Sequence, residues 1–168
     1  PLADRQQQRV TFQTVWVPVD DPDPDFPRLP DGTPTTTNDD AIHYVAGQGW
    51  DQGAAYFSRL EGAVYDNGVV YFCSTQGGGA PEDPAISTTR PSGYGKGSGQ
   101  IWAYNCRSGR LQLLYQAPDR DTLDFPDNIT ASPRGTLVIC EDSVEDNYLR
   151  GLSRGGQLWE LELNRLAN

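Results

Sequence analysis

Residues 61–75 read EGAVYDNGVVYFCST, and this stretch decides the fold. An Asn-Gly pair between two runs rich in apolar and aromatic residues, as at Asp66-Asn67-Gly68, is the strongest short-range signal for a β-hairpin. The same frame returns in residues 128–142, NITASPRGTLVICED, where Gly135 takes the place of Gly68 and Cys140 that of Cys73. The sequence therefore contains an internal repeat of one hairpin.

A strand of Gly-Gln-X-Trp form follows each hairpin, at residues 99–104 (GQIWAY) and 156–161 (GQLWEL). The first of these continues into a second hairpin around residues 107–110. Two hairpins make a four-stranded unit, which is typical of a β-propeller blade. We therefore predict an all-β fold with two recognisable blades, the second ending after its third strand.

Blades bury their faces only against neighbouring blades. Two blades do not close a propeller, so we expect a partner, either the remainder of the propeller or another protein chain. Unpaired strand edges recruit such partners or aggregate. The sequence thus predicts that the isolated chain associates.

The blades are predicted to occupy residues 54–168, with a glycine-rich insertion at residues 76–98. Residues 1–53 are expected to hold one strand near residues 10–17 and an irregular Asp- and Pro-rich segment with a helical turn near residues 39–45, since proline blocks helices and central strands alike. The aspartates of residues 20–25 could bind calcium or form a solvated acidic loop.

Composition and charge exclude several functions. The chain has 13 basic and 23 acidic residues, a net charge of -10, and Lys96 as its single lysine, which argues against nucleic-acid binding. The chain has no apolar run of 18 residues, so no membrane span is predicted. Residues 1–4 lack the pattern that opens a signal peptide.

Few residues are available for nucleophilic or zinc chemistry. His43 is the only histidine, and no GxSxG motif is present, which excludes a Ser-His-Asp hydrolase and a histidine-rich zinc site. Three cysteines without a CxxC motif form no disulfide framework. Cys73 and Cys140 lie in strand-like apolar runs, where we expect buried, inert thiols. The glycine-rich loop around Lys96 lacks the spacing of a phosphate-binding loop.

Function in a propeller resides where the first strands of the blades converge. In the first unit this is the segment that contains Arg59 and Glu61, whose side chains share one face of an extended chain. A carboxylate beside a guanidinium suits a hard cation with a bound oxyanion. The alternative is an ordinary surface ion pair.

The second unit offers four oxygen donors at strand ends. Asp127 and Asn128 open its hairpin, and Glu141 and Asp142 follow the apolar run of residues 137–140. Carboxylate and amide oxygens suit calcium or ferric iron. The alternative is that Asp and Asn are ordinary turn residues.

Several segments between about residue 55 and residue 163 have a characteristic order and spacing. The most specific is LDFPDNITASPRG at residues 123–135, followed by Cys140-Glu141-Asp142. The others are RLEGAVY at residues 59–65, VYFCST at residues 70–75, GQIW at residues 99–102, LLY at residues 113–115 and NYLRGL at residues 147–152. In this order and spacing, the segments resemble the PhoX family of secreted bacterial alkaline phosphatases.

This resemblance implies a six-bladed propeller with a central cluster of ferric iron and calcium that hydrolyses phosphate monoesters in the periplasm or outside the cell. Glu61 would be a metal ligand and Arg59 a phosphate contact, with Asp127, Asn128, Glu141 and Asp142 as further candidate ligands. The family enzyme is longer, and its other blades would supply ligands that include a cysteine.

Two other functions fit the sequence. The chain could be a non-catalytic propeller fragment that acts as a binding or assembly subunit. It could also resemble calcium-dependent lactonase-like propeller hydrolases, which use similar oxygen ligands around one metal. The metal content of the purified protein would distinguish the three functions. Iron with calcium would indicate the phosphatase, calcium alone would indicate the lactonase, and the absence of metal would indicate the binding subunit.

Overall fold

The computed structural model describes residues 2–80 and 95–165 and confirms an all-β fold with two antiparallel sheets. Its contacts divide the chain into two units, Pro1–Thr14 with Tyr56–Asn168, and Val15–Ala55. Much of the glycine-rich insertion, residues 81–94, lies outside the described residues. The elements are β1 (Thr11–Gln13), α1 (Asn38–Trp50), β2 (Leu60–Asp66), β3 (Val69–Ser74), β4 (Gln100–Asn105), β5 (Arg110–Gln116), β6 (Pro126–Ala131), β7 (Leu137–Glu141), β8 (Tyr148–Leu152) and β9 (Leu158–Leu163).

The first sheet has the strand order β1-β5-β4-β3-β2. Its β2–β3 hairpin turns at Asn67 and Gly68, whose φ angles of 48° and 85° are both positive, as a type I′ turn requires. The predicted strand near residues 10–17 is shortened to β1, and β1 pairs with β5 as a fifth strand.

The second sheet has the order β6-β7-β8-β9, so this blade has four strands and the prediction that it ends after its third is wrong. The missed strand is β8. It contains Arg150, which is 3% exposed and pairs with carboxylates, so its polar side chain interrupts the apolar pattern of a buried strand. In consequence GQIW lies on the third strand of its blade and GQLW on the fourth.

A shared core joins the two sheets. Buried residues from both sheets and from the segment between them form it: Tyr71, Cys73, Ile101, Leu114, Ala117, Leu123, Ile129, Leu137, Ile139 and Leu152. A second cluster of Trp102, Leu111 and Leu113 is packed with Leu2, Val10, Phe12 and Phe57. The N-terminal segment therefore covers apolar residues of the first sheet.

The Val15–Ala55 unit contains α1, which extends well beyond the helical turn expected near residues 39–45. Proline is absent from α1, and Thr37 caps its N-terminus by accepting a hydrogen bond from the Asp40 N–H at 3.1 Å. Across the described part of the chain, no helix is long and apolar enough to cross a membrane.

All three cysteines are free thiols. Cys73 is fully buried, as predicted, but Cys140 is exposed and the prediction of a buried thiol there is wrong. Its neighbours Ile139 and Glu141 face the core, so the alternation of the strand turns Cys140 to the opposite face.

Candidate metal and phosphate site

The residue just before the first strand of each blade has a strained backbone. Arg59 has φ of 52° and Phe125 has φ of 50°. Large side chains rarely adopt this left-handed conformation, which costs roughly 1–3 kcal/mol and is found where surrounding structure enforces it, often at functional sites. The two blades therefore repeat the same unusual turn at the same place.

A β-bulge follows each strained residue. The register shifts between Leu60 and Ala63 in β2, and between Pro126 and Ile129 in β6. A bulge inserts one unpaired residue and redirects nearby side chains, and bulges are frequent next to active sites. Glu61 lies in the first bulge, and Asp127 and Asn128 lie in the second. The fold thus gives these predicted site residues equivalent backbone positions.

Matching hydrogen bonds fix the two turns. The carbonyl oxygen of Arg59 accepts from the Thr75 N–H at 2.9 Å, and that of Phe125 accepts from the Asp142 N–H at 3.0 Å. A side chain from the second strand braces the residue before each strained one. Ser74 Oγ accepts from the Ser58 N–H at 3.2 Å in the first blade.

The first strands of the two blades touch at the bulges. A Cβ atom built on Gly62 would lie 2.6 Å from the Cα of Asn128, a contact that only glycine permits. Nearby, Thr75 Oγ1 donates a buried hydrogen bond of 2.8 Å to the carbonyl oxygen of Pro126. These contacts hold the segment of Glu61 beside the segment of Asp127.

Glu61 and Asp127 both act on the buried thiol of Cys73. Burial raises the pKa of the Cys73 thiol to about 12, and the charges of Asp127, Cys140 and Glu61 add to this effect in that order. Glu61 and Asp127 therefore both lie within electrostatic range of one buried thiol. Sequence reasoning selected both residues, but it could not show that the two bulges touch.

Arg59 and Glu61 form an ion pair, with 3.5 Å between the Arg59 Nη2 and Glu61 Oε1 atoms. Their side chains are 49% and 36% exposed. An ion pair this exposed contributes little to stability, typically under about 1 kcal/mol. Both groups are therefore accessible to a ligand, and the pair is compatible with the predicted carboxylate and guanidinium roles.

Glu141 is placed differently from the other candidates. Its side chain is fully buried, and its Oε1 atom accepts from the Asp124 N–H at 3.0 Å and from Arg150 Nε at 2.8 Å. Its Oε2 atom accepts from the Tyr148 N–H at 2.9 Å. Both carboxylate oxygens are thus engaged with the protein, and Glu141 braces Asp124 as Ser74 braces Ser58.

The oxygen donors fit part of a hard-cation site. Glu61 and Asp127 offer carboxylates, and Asn128 offers an amide oxygen that also accepts from the Ile129 N–H at 2.9 Å. Asp142 is exposed beside the Phe125 turn. Within residues 2–80 and 95–165, no three His, Cys, Asp or Glu side chains are close enough together to hold a metal ion. Glu61, Asp127 and Asn128 are therefore candidate oxygen donors, and the described residues do not form a full coordination shell.

Sequence reasoning missed the residues that shape the site. Ser58, Ser74 and Thr75 are buried polar residues whose hydrogen bonds fix the turns, and Arg150 pairs with Glu141. The available signal was the polar pair Ser74-Thr75 directly after an apolar strand. That signal is weak, because serine and threonine are also common turn residues.

The protein is therefore all-β, with two antiparallel sheets that carry candidate oxygen donors at the bulges of their first strands. A sequence model of the family described as alkaline phosphatase PhoX matches residues 2–166 of the chain. The chain therefore belongs to the PhoX alkaline phosphatase family, as the sequence motifs indicated. Searches of curated proteins and of solved structures gave no match.

Proposed function

We propose that this chain forms part of a metal-dependent site that hydrolyses phosphate monoesters, with Glu61, Asp127 and Asn128 as metal ligands and Arg59 as a phosphate contact. The observation that supports this proposal is the pair of equivalent bulges, which contain Glu61 and Asp127 on first strands that touch at Gly62 and Asn128. Membership of an alkaline phosphatase family supports the reaction class.

Each residue has a role that follows from its surroundings. Arg59 is half exposed and has its guanidinium near Glu61, so it can bind two oxygens of a phosphate and stabilise charge that develops during transfer. Bound calcium and ferric iron, the ions that the family resemblance implies, would polarise the phosphoryl oxygens. We assign Glu141 to positioning the Phe125 turn, and leave Asp142 as an accessory oxygen donor.

The proposal places the site in the periplasm or outside the cell, where a secreted phosphatase acts on small phosphomonoesters. The acidic surface, with a net charge of -10, is consistent with metal loading in such a compartment. We infer that the remainder of a propeller, on this or another chain, completes the ligand set.

Calcium titration by calorimetry tests the ligand assignment on the 168-residue chain. We expect Glu61→Gln and Asp127→Asn each to weaken calcium binding at least about tenfold, since each removes one charged ligand. Glu145→Gln is the matched control, because it removes an exposed carboxylate in the loop between β7 and β8 and should change affinity little. Equal affinities for all four proteins would refute the metal site.

Hydrolysis of p-nitrophenyl phosphate by chain loaded with calcium and ferric iron tests the reaction. We expect Arg59→Ala to bind metal like the unmodified chain and to lose most of its activity, because the arginine contacts phosphate and not metal. A chain that binds calcium but not iron would favour the lactonase-like alternative. A chain that binds no metal would favour the binding or assembly subunit.

A further inference from the structure

A second cluster of polar residues lies at the opposite ends of the strands from the candidate site. It lines a groove of about 360 Å³ beside the start of β3, the end of β4 and the start of β5. The candidate site lies instead at the start of β2 and the end of β3. A ligand in this groove would therefore not contact Glu61 or Arg59.

The floor of the groove is one face of the first sheet. Tyr71, Ala103, Gln112 and Thr11 are register partners across four strands, so their side chains form one row. The adjacent row on the same face contains Arg110, Asn105 and Val69. The floor is thus apolar toward β3 and carries hydrogen-bonding groups toward β5.

Arg110 differs from the other residues of this floor because it carries a charge. Its side chain is exposed, and within the described part of the chain its guanidinium has no carboxylate or hydrogen-bond partner. The described lining of the groove contains no Asp or Glu at all, although the chain as a whole has a net charge of -10. Asp66 beside the groove pairs with Arg154, so Arg110 carries the uncompensated positive charge of this lining.

Arg154, which lies between β8 and β9 of the second sheet, also lines the groove. It makes an ion pair with Asp66, its Nε donates to the carbonyl oxygen of Gly135 at 3.1 Å, and its guanidinium carbon lies 5.5 Å from the centre of the Tyr71 ring. Arg9 donates to the carbonyl oxygen of Arg154 at 3.0 Å. These contacts hold Arg154 in place before any ligand arrives.

Neutral donors surround the two arginines. The Oδ1 atom of Asn105 accepts from the N–H groups of Arg107 and Ser108, at 3.1 and 2.9 Å, which leaves its amide nitrogen for a ligand. Gln112 makes only long hydrogen bonds through its amide nitrogen, of 3.4 Å to the Arg9 carbonyl oxygen and 3.5 Å to Thr11 Oγ1. The amide nitrogens of Asn105 and Gln112 are therefore available to donate to a ligand in the groove.

We propose that this groove binds a small oxyanion of the phosphate or carboxylate class, held between Arg110 and Arg154. Guanidinium groups match the planar or tetrahedral oxygens of such anions by paired hydrogen bonds. A volume of about 360 Å³ accommodates a small organic acid or phosphate ester and not a macromolecule.

The test is a nitrogen-15 NMR titration of the whole chain with inorganic phosphate and, separately, with malonate, both at constant ionic strength and with a chelator present. Site-resolved signals separate this groove from Arg59. We expect saturable shifts at the side-chain amides of Asn105 and Gln112. Saturation by either anion supports the proposal and identifies its class, and the absence of saturable shifts with both overturns it.

Substitution of Arg110 gives the second arm of the test. We expect Arg110→Gln to weaken binding at least about tenfold, as loss of a charge-assisted hydrogen bond predicts, and Arg110→Lys to weaken it less. Arg107→Gln is the matched control, because Arg107 is exposed in the same turn but does not line the groove. Equal weakening by Arg107→Gln would indicate diffuse attraction and overturn the proposal. Glu61→Gln should leave groove binding unchanged, so this test is independent of the proposed function.

Discussion

At the scale of single residues, the strained turn before each first strand is the feature that sequence reasoning could not detect. Arginine and phenylalanine have no preference for positive φ, so nothing at Arg59 or Phe125 signals it. The positive φ is instead held by hydrogen bonds that the N–H groups of Thr75 and Asp142 donate to the carbonyl oxygens of Arg59 and Phe125. The sequence indicated which residue types were candidates, but not the strained turns and bulges in which they lie.

This strain predicts an unusual order of stability at Arg59. We expect Arg59→Gly to be more stable than Arg59→Ala by about 1 kcal/mol, since glycine adopts positive φ without the steric cost of a Cβ atom. Both variants lose the ion pair with Glu61, so that contribution cancels in the comparison. Urea denaturation measures the difference.

Arg107 provides the control, since its φ is not positive. There the glycine variant should be no more stable than the alanine variant. If Arg59→Ala proves as stable as Arg59→Gly, the turn is not strained.

The Cys73 thiol should be unreactive in the folded protein. Burial raises its pKa to about 12, so the thiol stays protonated at pH values where ordinary thiols, with pKa near 8.5, become reactive thiolates. We expect iodoacetamide to label the exposed Cys106 and Cys140 and to leave the buried Cys73 unlabelled, at pH 7 and at pH 9. Peptide mass spectrometry identifies the labelled sites, and denatured protein, labelled at all three, is the control.

At the scale of elements, turn chemistry predicted more than strand pattern did. Asn67-Gly68 determined the first hairpin, because few residue pairs form a type I′ turn. Strand β8 was missed because a buried arginine interrupts its apolar pattern, and the helix α1 was underestimated beside a proline-rich segment. A charge inside a blade is therefore the main obstacle to reading this fold from sequence.

The same buried charge gives a prediction on the second blade. Arg150 contacts both the fully buried Glu141, at 2.8 Å, and Glu160, which is 63% exposed, at 3.1 Å. We expect Glu141→Gln to lower the free energy of unfolding by about 3 kcal/mol, because it leaves a buried guanidinium short of its counter-charge. Glu160→Gln should cost less than about 1 kcal/mol.

Guanidinium denaturation of the two variants checks this order. Each variant removes one carboxylate that pairs with Arg150, so the two variants differ only in how deeply that carboxylate is buried. Similar losses in both variants would mean that Glu141 does not brace the turn.

At the scale of the whole molecule, β9 has no neighbouring strand on its outer side among the residues that the structure describes. Trp159 and Leu161 both belong to β9 and are 40% and 49% exposed. Exposed apolar side chains next to an open strand edge favour association. The sequence predicted this behaviour from the number of blades, and the structure supplies the residues.

We expect the 18.5 kDa chain to form larger particles in light scattering, and Leu161→Lys to shift it toward the monomer. Val144→Lys is the control, because Val144 is 93% exposed but lies in a loop. A monodisperse monomer of the unmodified chain contradicts the prediction.

Because the two bulges contain proposed site residues, the number of residues in each first strand matters for the proposed site. A bulge shifts the alternation of side chains by one residue, so Leu60 and Ala63, three positions apart, are both in register with residues on one face of β3. Deleting a single residue between them would restore a regular ladder in which Leu60 still faces Ser74, but the extra position of the bulge, where Glu61 lies, would be lost. We therefore expect an insertion or deletion in these few residues to disturb the proposed site as much as the loss of a carboxylate would, even where every other residue is kept.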